Sequence, residues 1–409
     1  MSQIITREVA PNLYLLRVAD TRTQYFEALW EIPEGITYNA YLLKTDEGAI
    51  LFDGWKQTYE EAFVAALTEL VAPAEIKHLV IHHMEPDHSG TLPKVLELTQ
   101  GQVTVWGHPF TQRLMESLYG VTPSFQAVKN GDRLTFGGQE LVFYHAPWLH
   151  WPETIVTHLP AENILLTGDI FGGYGIPEGI FDDEADVEAY LPLSRKYTVT
   201  VIGYYKDKIG KNITKLQAQG LEPAMILPAH GLLWRQSPER IVQAYLDWGA
   251  GKPTPGKIAV IYSSMYRYVE AALEEALAAL EELGYQPVVH RLVDDQRAAL
   301  ADILSDVADA EAIVLGTETY ESDVFPYTEF LLHEIGKKAA FEKPLVVIAI
   351  FGWAAAAGKK LRQQIETMPH PLVALVEAKG RLTPEGKTQI REAIQALDQA
   401  IRGNPQPAA

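Results

Sequence analysis

The sequence predicts a two-domain chain: a mixed α+β domain, then an α/β domain built on a doubly wound parallel sheet. Three observations carry that expectation. The segment GAGKPTPGK, Gly249 to Lys257, is polar and rich in Gly and Pro, and it separates two differently patterned parts. Before it, short apolar runs and turn residues dominate, and several of those runs end on His or Asp. After it, strand patterns alternate with helical ones, the signature of a parallel sheet with crossover helices. The expected bounds are 1–250 for the first domain, 251–257 for the linker and 258–402 for the second domain. A tail over 403–409, GNPQPAA, is expected to be disordered.

A length of 409 residues suits two or three domains. The chain is 47% hydrophobic and 21% charged, an ordinary globular composition. No apolar run approaches a membrane span. The N-terminus, MSQIITREVAPNLYLL, lacks the basic-then-apolar layout of a signal peptide, so a cytoplasmic location is expected. Cysteine is absent from the sequence. That excludes disulfides, thiol catalysis, and zinc, iron–sulfur or rubredoxin-type centres held by Cys within these residues. A metal must therefore be held by His, Asp and Glu. The net charge of −19 lacks the basic footprint that nucleic acid requires, and it suits a surface that steers a basic partner.

In the first domain, His78 to Ile81 reads as a short buried strand that opens onto HHMEPDHSG, His82 to Gly90. Pro86 is expected to bar a regular helix, which leaves His83 to His88 on a loop at the strand end. Two imidazoles and two carboxylates at that density suit a transition metal. Other apolar runs lead to similar residues. GAILFDGW ends a strand at Asp53, LVFYHAPWLHW leads to His150, NILLTGDIFGG ends at Asp169, and AMILPAHG ends at His230. If the sheets bring these ends together, seven donors converge: His83, Glu85, Asp87, His88, His150, Asp169 and His230. His82 would point the other way from His83 along a continuing strand and is read as a supporting residue. His145 and His158 are read as structural.

In the second domain the first strand, KIAVIY, is followed by a loop and a helix. Apolar residues recur there at Val269, Leu273, Ala276, Leu277, Leu280 and Leu283, and Gly284 is the expected C-cap. Further strands are expected at QPVVHRLV, EAIVLG, PLVVIAIFG and LVALVEA. The loop YSSMYRYVE, Tyr262 to Glu270, sits where backbone N–H groups and a helix N-terminus make an anion site, with Ser263 and Ser264 adding hydroxyls. The expected loops GTETYESD, Gly316 to Asp323, and FGWAAAAGKK follow the third and fourth strands; Tyr320 and Trp353 offer them flat faces.

The pattern His83-x-Glu85-x-Asp87-His88, then His150, Asp169 and His230 with 61, 18 and 60 intervening residues, resembles the flavodiiron proteins, or A-type flavoproteins. WLHWPET around His150 and AHGLLWR around His230 are similar to that family's flanking sequences. The resemblance spans nearly the whole chain. It implies an N-terminal αββα sandwich of the metallo-β-lactamase type and a C-terminal flavodoxin-like domain. It implies two irons, one held by His83, Glu85 and His150 and the other by Asp87, His88 and His230, with Asp169 bridging them. In some members the counterpart of His88 is turned away from its iron. Tyr197 lies where the family places a tyrosine near the irons.

FMN is implied as the second cofactor. Its contacts would come from Ser263, Ser264, Met265, Tyr266, Arg267 and Tyr268, then Thr317, Glu318, Thr319, Tyr320 and Glu321, then Gly352 and Trp353. The flavin loops depart from the family pattern. Glu318, Glu321 and Ser322 stand where Gly-Ser-Pro-Thr and paired Asn are usual, Val269 stands in place of Thr, and Ala354 to Ala357 replace a Gly- and Ser-rich run. Arg267 is expected to offset the added acid by pairing with the phosphate.

The implied activity is reduction of O2 to water, of NO to nitrous oxide, or of both. Electrons would come from a separate donor: rubredoxin, a flavin reductase or a reduced deazaflavin. The implied assembly is a head-to-tail homodimer, alone or as a dimer of dimers. The donor set agrees on the metal. Zinc hydrolases of this superfamily carry His-x-His-x-Asp-His, and Glu85 here replaces the second His; a hard anionic donor favours iron or manganese over zinc. Two alternatives use the same residues: a binuclear metallohydrolase whose flavodoxin-like domain only dimerises, and a non-enzymatic oxygen binder or sensor.

Overall fold

A computed structural model of the chain describes residues 2–403. It divides into two compact units, Met1–Gly249 and Ala250–Ala409. Residues 404–409 of the expected tail lie outside the described residues, and Gly403 closes the last helix.

Among the described residues the first unit carries fourteen strands. They are β1 (Gln3–Ala10), β2 (Leu13–Asp20), β3 (Tyr25–Phe26), β4 (Trp30–Glu31), β5 (Ile36–Thr45), β6 (Gly48–Phe52) and β7 (Ile76–Val80), then β8 (Thr104–Gly107), β9 (Phe125–Ala127), β10 (Arg133–Phe136), β11 (Gln139–His145), β12 (Ile155–Leu159), β13 (Ile164–Gly168) and β14 (Met225–Pro228). A seven-stranded sheet runs β1-β2-β5-β6-β7-β8-β9, and a five-stranded sheet runs β10-β11-β12-β13-β14. Leu15, Phe52 and Val80 of the first sheet share one core with Phe143, Ile155, Leu166 and Leu227 of the second, so the sheets pack face to face. The helices are α1 (Glu60–Leu70), α2 (Pro86–Ser89), α3 (Leu92–Leu98), α4 (Thr111–Tyr119), α5 (Val187–Tyr197), α6 (Lys206–Ala218) and α7 (Pro238–Gly249). This is the expected sandwich class.

One local expectation is overturned. Pro86 does not bar a helix but begins α2, at the first helical position. An N–H there has no partner within a helix, and the fixed φ of proline suits the first turn. Asp87 and His88 therefore sit on a helical turn, and only His83 to Glu85 are loop.

In the second unit the strands are β15 (Lys257–Ser263), β16 (Gln286–Leu292), β17 (Ala312–Tyr320), β18 (Asp323–Val324), β19 (Leu345–Phe351) and β20 (Leu372–Lys379). The sheet order β16-β15-β17-β19-β20 is parallel throughout, the flavodoxin-like order. Helices α8 (Tyr268–Glu282), α9 (Leu300–Ala308), α10 (Pro326–Lys338), α11 (Ala357–Ile365) and α12 (Pro384–Gly403) surround it. Alternate residues Ile258, Val260 and Tyr262 of β15 pack with Leu273 of α8 and Ile394 of α12. Leu283 is the C-cap of α8, and Gly284, expected there, follows it with φ 86° as the left-handed residue that ends the helix.

Two flavin loops are shorter than the sequence suggested. β15 continues to Ser263, and β17 runs through Tyr320 because β18 pairs with its end, Thr319 to Val324 and Tyr320 to Asp323. Only Glu321 and Ser322 make that turn, with φ of 49° and 63°, as a tight hairpin demands. No described helix is long and apolar enough to cross a membrane.

Leu166 is fully buried between the two sheets. Leu166→Ala is expected to cost about 2–5 kcal/mol, seen as a lower denaturation midpoint; an unchanged midpoint would contradict the shared core.

Candidate metal centre

The seven donors named from the sequence lie together. β7 ends just before His83, β11 precedes the loop with His150, β13 ends at Gly168 just before Asp169, and β14 ends two residues before His230. Asp169 is fully buried and divides the cluster. Its Oδ2 lies 3.5 Å from His83 Nε2 and 3.1 Å from His150 Nε2. Glu85 Oε2 closes that group, 2.6 Å from His150 and 3.5 Å from His83. Asp169 Oδ1 lies 2.8 Å from His88 Nε2 and 3.3 Å from His230 Nε2. Asp87 Oδ2 closes the second group, 3.4 Å from His88 and 3.6 Å from His230. His88 thus points inward, not away.

The donors lack other work. His83 Nδ1 and Nε2, His88 Nδ1 and both oxygens of Asp87 and Asp169 are buried with no hydrogen-bond partner among the described residues. Buried groups left in that state are costly, and cations at the two foci would satisfy His83 Nε2 and the carboxylate oxygens. Donor atoms about 2.0–2.3 Å from a shared ion sit roughly 3–3.5 Å from each other, and the separations here run from 2.6 to 3.6 Å, most of them near that range.

A surrounding layer fixes the donors. His82 N–H donates to Asp53 Oδ1 at 2.8 Å, and its ring meets Asp53 Oδ2 at 2.5 Å and Thr157 Oγ1 at 3.0 Å. That turns buried His82 away from the cluster and leaves His83 facing it; β7 ends at Val80, so Asp53 and Thr157 rather than the expected strand alternation set the two directions. His230 Nδ1 lies 2.7 Å from the Thr37 carbonyl, so it carries the proton and Nε2 presents its lone pair to the cluster. Buried Arg17 donates to Asn39 Oδ1 and to the Gly231 carbonyl, which pins the turn after His230. Met84 N–H donates to buried Glu153, holding the His83–Glu85 loop.

Burial opposes every charge in the cluster, yet the opposite charges prevail at most members. Glu85 is held well below the ordinary carboxylate range, chiefly by His150, and Asp169 likewise by His83, His88 and His230. Asp87 goes the other way because burial dominates. Against burial, the carboxylates Asp87 and Asp169 push His88 up to about 10. The cluster without cations therefore stores protons on His83, His88 and His150.

Tyr197 is fully buried, with its ring 5.4 Å from His230 and its hydroxyl without a hydrogen-bond partner among the described residues. A π-helical turn, Thr198–Ile202, follows it directly. Phe26, Tyr38 and Tyr174 complete an aromatic wall: Tyr38 lies 5.5 Å and Phe26 6.1 Å from the His230 ring, and Tyr174 lies 5.2 Å from Tyr197. Sequence reasoning missed these three, because nothing local distinguishes them from core aromatics.

The residues read as flavin contacts spread from buried to exposed. Ser263, Ser264, Thr317 and Glu318 are buried, Met265 and Thr319 half-buried, and Tyr266, Arg267, Tyr268, Tyr320, Glu321, Gly352 and Trp353 exposed. Ser263 Oγ meets Thr317 Oγ1 at 3.2 Å and Thr328 Oγ1 at 3.1 Å. The Arg267 side chain points to solvent and stands 4.0 Å from Glu270.

Two outcomes test this geometry. Because His88 holds its proton up to about pH 10, a cation must displace it. Metal uptake near neutral pH should release protons into weakly buffered solution and tighten as pH rises; uptake indifferent to pH would contradict the cluster. Asp53→Ala should weaken metal binding about 10–100-fold in chelator competition, since the support of His82 and its neighbour is lost.

A family profile described as "ODP family beta lactamase" matches residues 36–231. Among solved structures, a mutant of the flavo di-iron protein from Thermotoga maritima is 40% identical, with 98% of this chain and 100% of that chain covered and a TM-score of 0.92. The rubredoxin oxygen:oxidoreductase of Desulfovibrio gigas is 27% identical, with 98% and 99% covered and a TM-score of 0.91. A nitric oxide reductase from Moorella thermoacetica is 28% identical over 379 residues, 91% of this chain and 92% of that protein. With 40% identity along its length to a flavo di-iron protein, the chain belongs to the flavodiiron protein family.

Proposed function

We propose that the protein is an oxidoreductase that passes electrons from FMN to a diiron centre and reduces O2 to water, NO to nitrous oxide, or both. One observation carries the reading: buried Asp169 directs its two oxygens at two separate groups of His and carboxylate donors. The donor set fits iron. Four imidazoles and three carboxylates give each ion three or four ligands, and Glu85 moves the preference away from zinc. Three carboxylates also offset most of the charge that two buried divalent cations would bring. When bound, the two irons would supply open coordination positions and two electrons, and FMN two more.

The chain's own residues have definite tasks in this reading. His83, Glu85 and His150 would hold one ion, Asp87, His88 and His230 the other, and Asp169 would bridge them. Burial keeps the Tyr197 phenol far above its ordinary range, with the Asp169 charge adding to the effect, and burial with Asp87 does the same for Tyr38. Both phenols therefore hold their protons at Oη at working pH, as hydrogen-bond donors beside the substrate position. Phe26, Tyr38, Tyr174 and Tyr197 keep water away from the His230 side, which suits a small, weakly polar gas. The balance is O2 with four electrons and four protons to two waters, or two NO with two electrons and two protons to nitrous oxide and water.

The second unit offers the flavin a cradle at the carboxyl ends of β15 and β17, where the strand order reverses. Ser263, Thr317 and Thr328 cluster there, the buried Ser264 hydroxyl has no partner among the described residues, and Tyr266, Tyr320 and Trp353 present exposed rings. The reading includes a head-to-tail homodimer and a separate donor, rubredoxin, a flavin reductase or a reduced deazaflavin. The net charge of −19 favours a donor with a basic docking face.

The test is anaerobic reduction followed by stopped-flow oxidation with each gas, on protein whose iron and FMN have been quantified. Rapid reoxidation by at least one gas is expected; equally slow reoxidation by both would contradict the reading. Tyr197→Phe should slow the faster reaction by about 10-fold or more if the phenol assists proton delivery, with the iron content unchanged.

A further inference from the structure

The flavin cradle contains a group with no evident structural task. Glu318 is the seventh residue of β17 and is 6% exposed. Its Oε2 stands 3.4 Å from Ser263 Oγ, at the end of β15, and its Oε1 has no hydrogen-bond partner among the described residues. The Met265 backbone N–H, one of the loop donors leading into α8, also acts on this carboxyl and favours its charged form. The side chain thus engages the strand end and the loop that an incoming phosphate would need. A second buried group in the same loop, Ser264 Oγ, is likewise unpartnered. A carboxylate left so poorly solvated in a pure core position would be replaced at little cost by an apolar residue; beside an anion site its charge has a consequence.

Resting on the flavin reading above, we propose that Glu318 gates the flavin phosphate: neutral, it shares the β15–α8 loop with the phosphate as a hydrogen-bond donor, and ionised, it takes the phosphate's place and drives the flavin out. Like charges in a buried pocket repel strongly, whereas a protonated carboxyl gives the phosphate one more donor.

The surroundings leave the ionisation to burial. Desolvation raises the carboxyl to about 7, with Ser263 and Met265 pulling the other way. The charged and titratable groups on neighbouring elements are engaged elsewhere or directed away. Arg267 stands 4.0 Å from Glu270 of α8, Arg291 of β16 donates to Tyr262, and Asp323 of β18 pairs with Lys360 of α11. Glu321 in the turn after β17 and Glu329 on α10 are exposed. None of them contributes to the balance at Glu318. The gate therefore operates near neutral pH: the flavin is held below it and loosened above it.

The experiment measures FMN and riboflavin dissociation constants by flavin fluorescence on the full-length protein freed of flavin, wild type and E318Q, at pH 6 and pH 8. The FMN phosphate gains charge over the same range, with its second ionisation at about 6, and E318Q isolates that contribution. For wild type the FMN constant is expected to rise up to about tenfold from pH 6 to pH 8, against at most about twofold for E318Q. At pH 8 E318Q should bind FMN more tightly than wild type. Riboflavin, which lacks the phosphate, should show a much smaller rise with wild type. FMN binding with the same pH slope in both proteins overturns the gate and leaves the flavin reading intact. An equal slope with riboflavin overturns the assignment to the phosphate. Absence of FMN binding by both proteins at both pH values overturns the flavin reading itself, and the gate with it.

Discussion

The buried carboxylate of Asp169 is the constraint on which the first unit depends. A fully buried anion is tolerated only when opposite charge lies against it, and removing such compensation costs several kcal/mol. Here the compensation comes from donors on separate elements: His83 after β7, His88 on α2, His150 after β11 and His230 after β14. Each sheet must end at the right depth for its donor to reach one oxygen or the other. The core between the sheets fixes that depth, and Arg17, Asp53 and Thr37 fix the last torsions.

The two units use one physical device. Strands that run in parallel deliver their carboxyl ends to one edge, and side chains just past those ends gather there. In the first unit the edge carries imidazoles and carboxylates inside an aromatic wall. In the second it carries hydroxyls, exposed rings and one buried acid. The first chemistry suits cations, the second suits an anion under conditions that keep the acid neutral. An oxidoreductase of this family asks for both.

Much of this was legible in the sequence, for a definite reason. The candidate metal donors follow apolar runs, and a run that ends on His or Asp announces where a strand surfaces. The β-α alternation after Lys257 likewise announces the parallel sheet. Features created by contact between distant elements were not legible. Asp53 was visible as a strand end, but its partnership with His82 depends on the pairing of β6 with β7. Tyr38 and Tyr174 look like any core aromatic until the sheets are folded around His230. The extension of β17 through Tyr320 depends on β18, two residues too short to read as a strand. Pro86 misled because its position within a helix, not its presence, decides whether it breaks or begins one.

The most direct test of the central claim is anomalous diffraction at the iron edge from crystals of the iron-loaded protein. The account predicts two iron peaks about 3.5–4 Å apart, one against each oxygen of Asp169. A single peak, or iron bound away from Asp169, would contradict it.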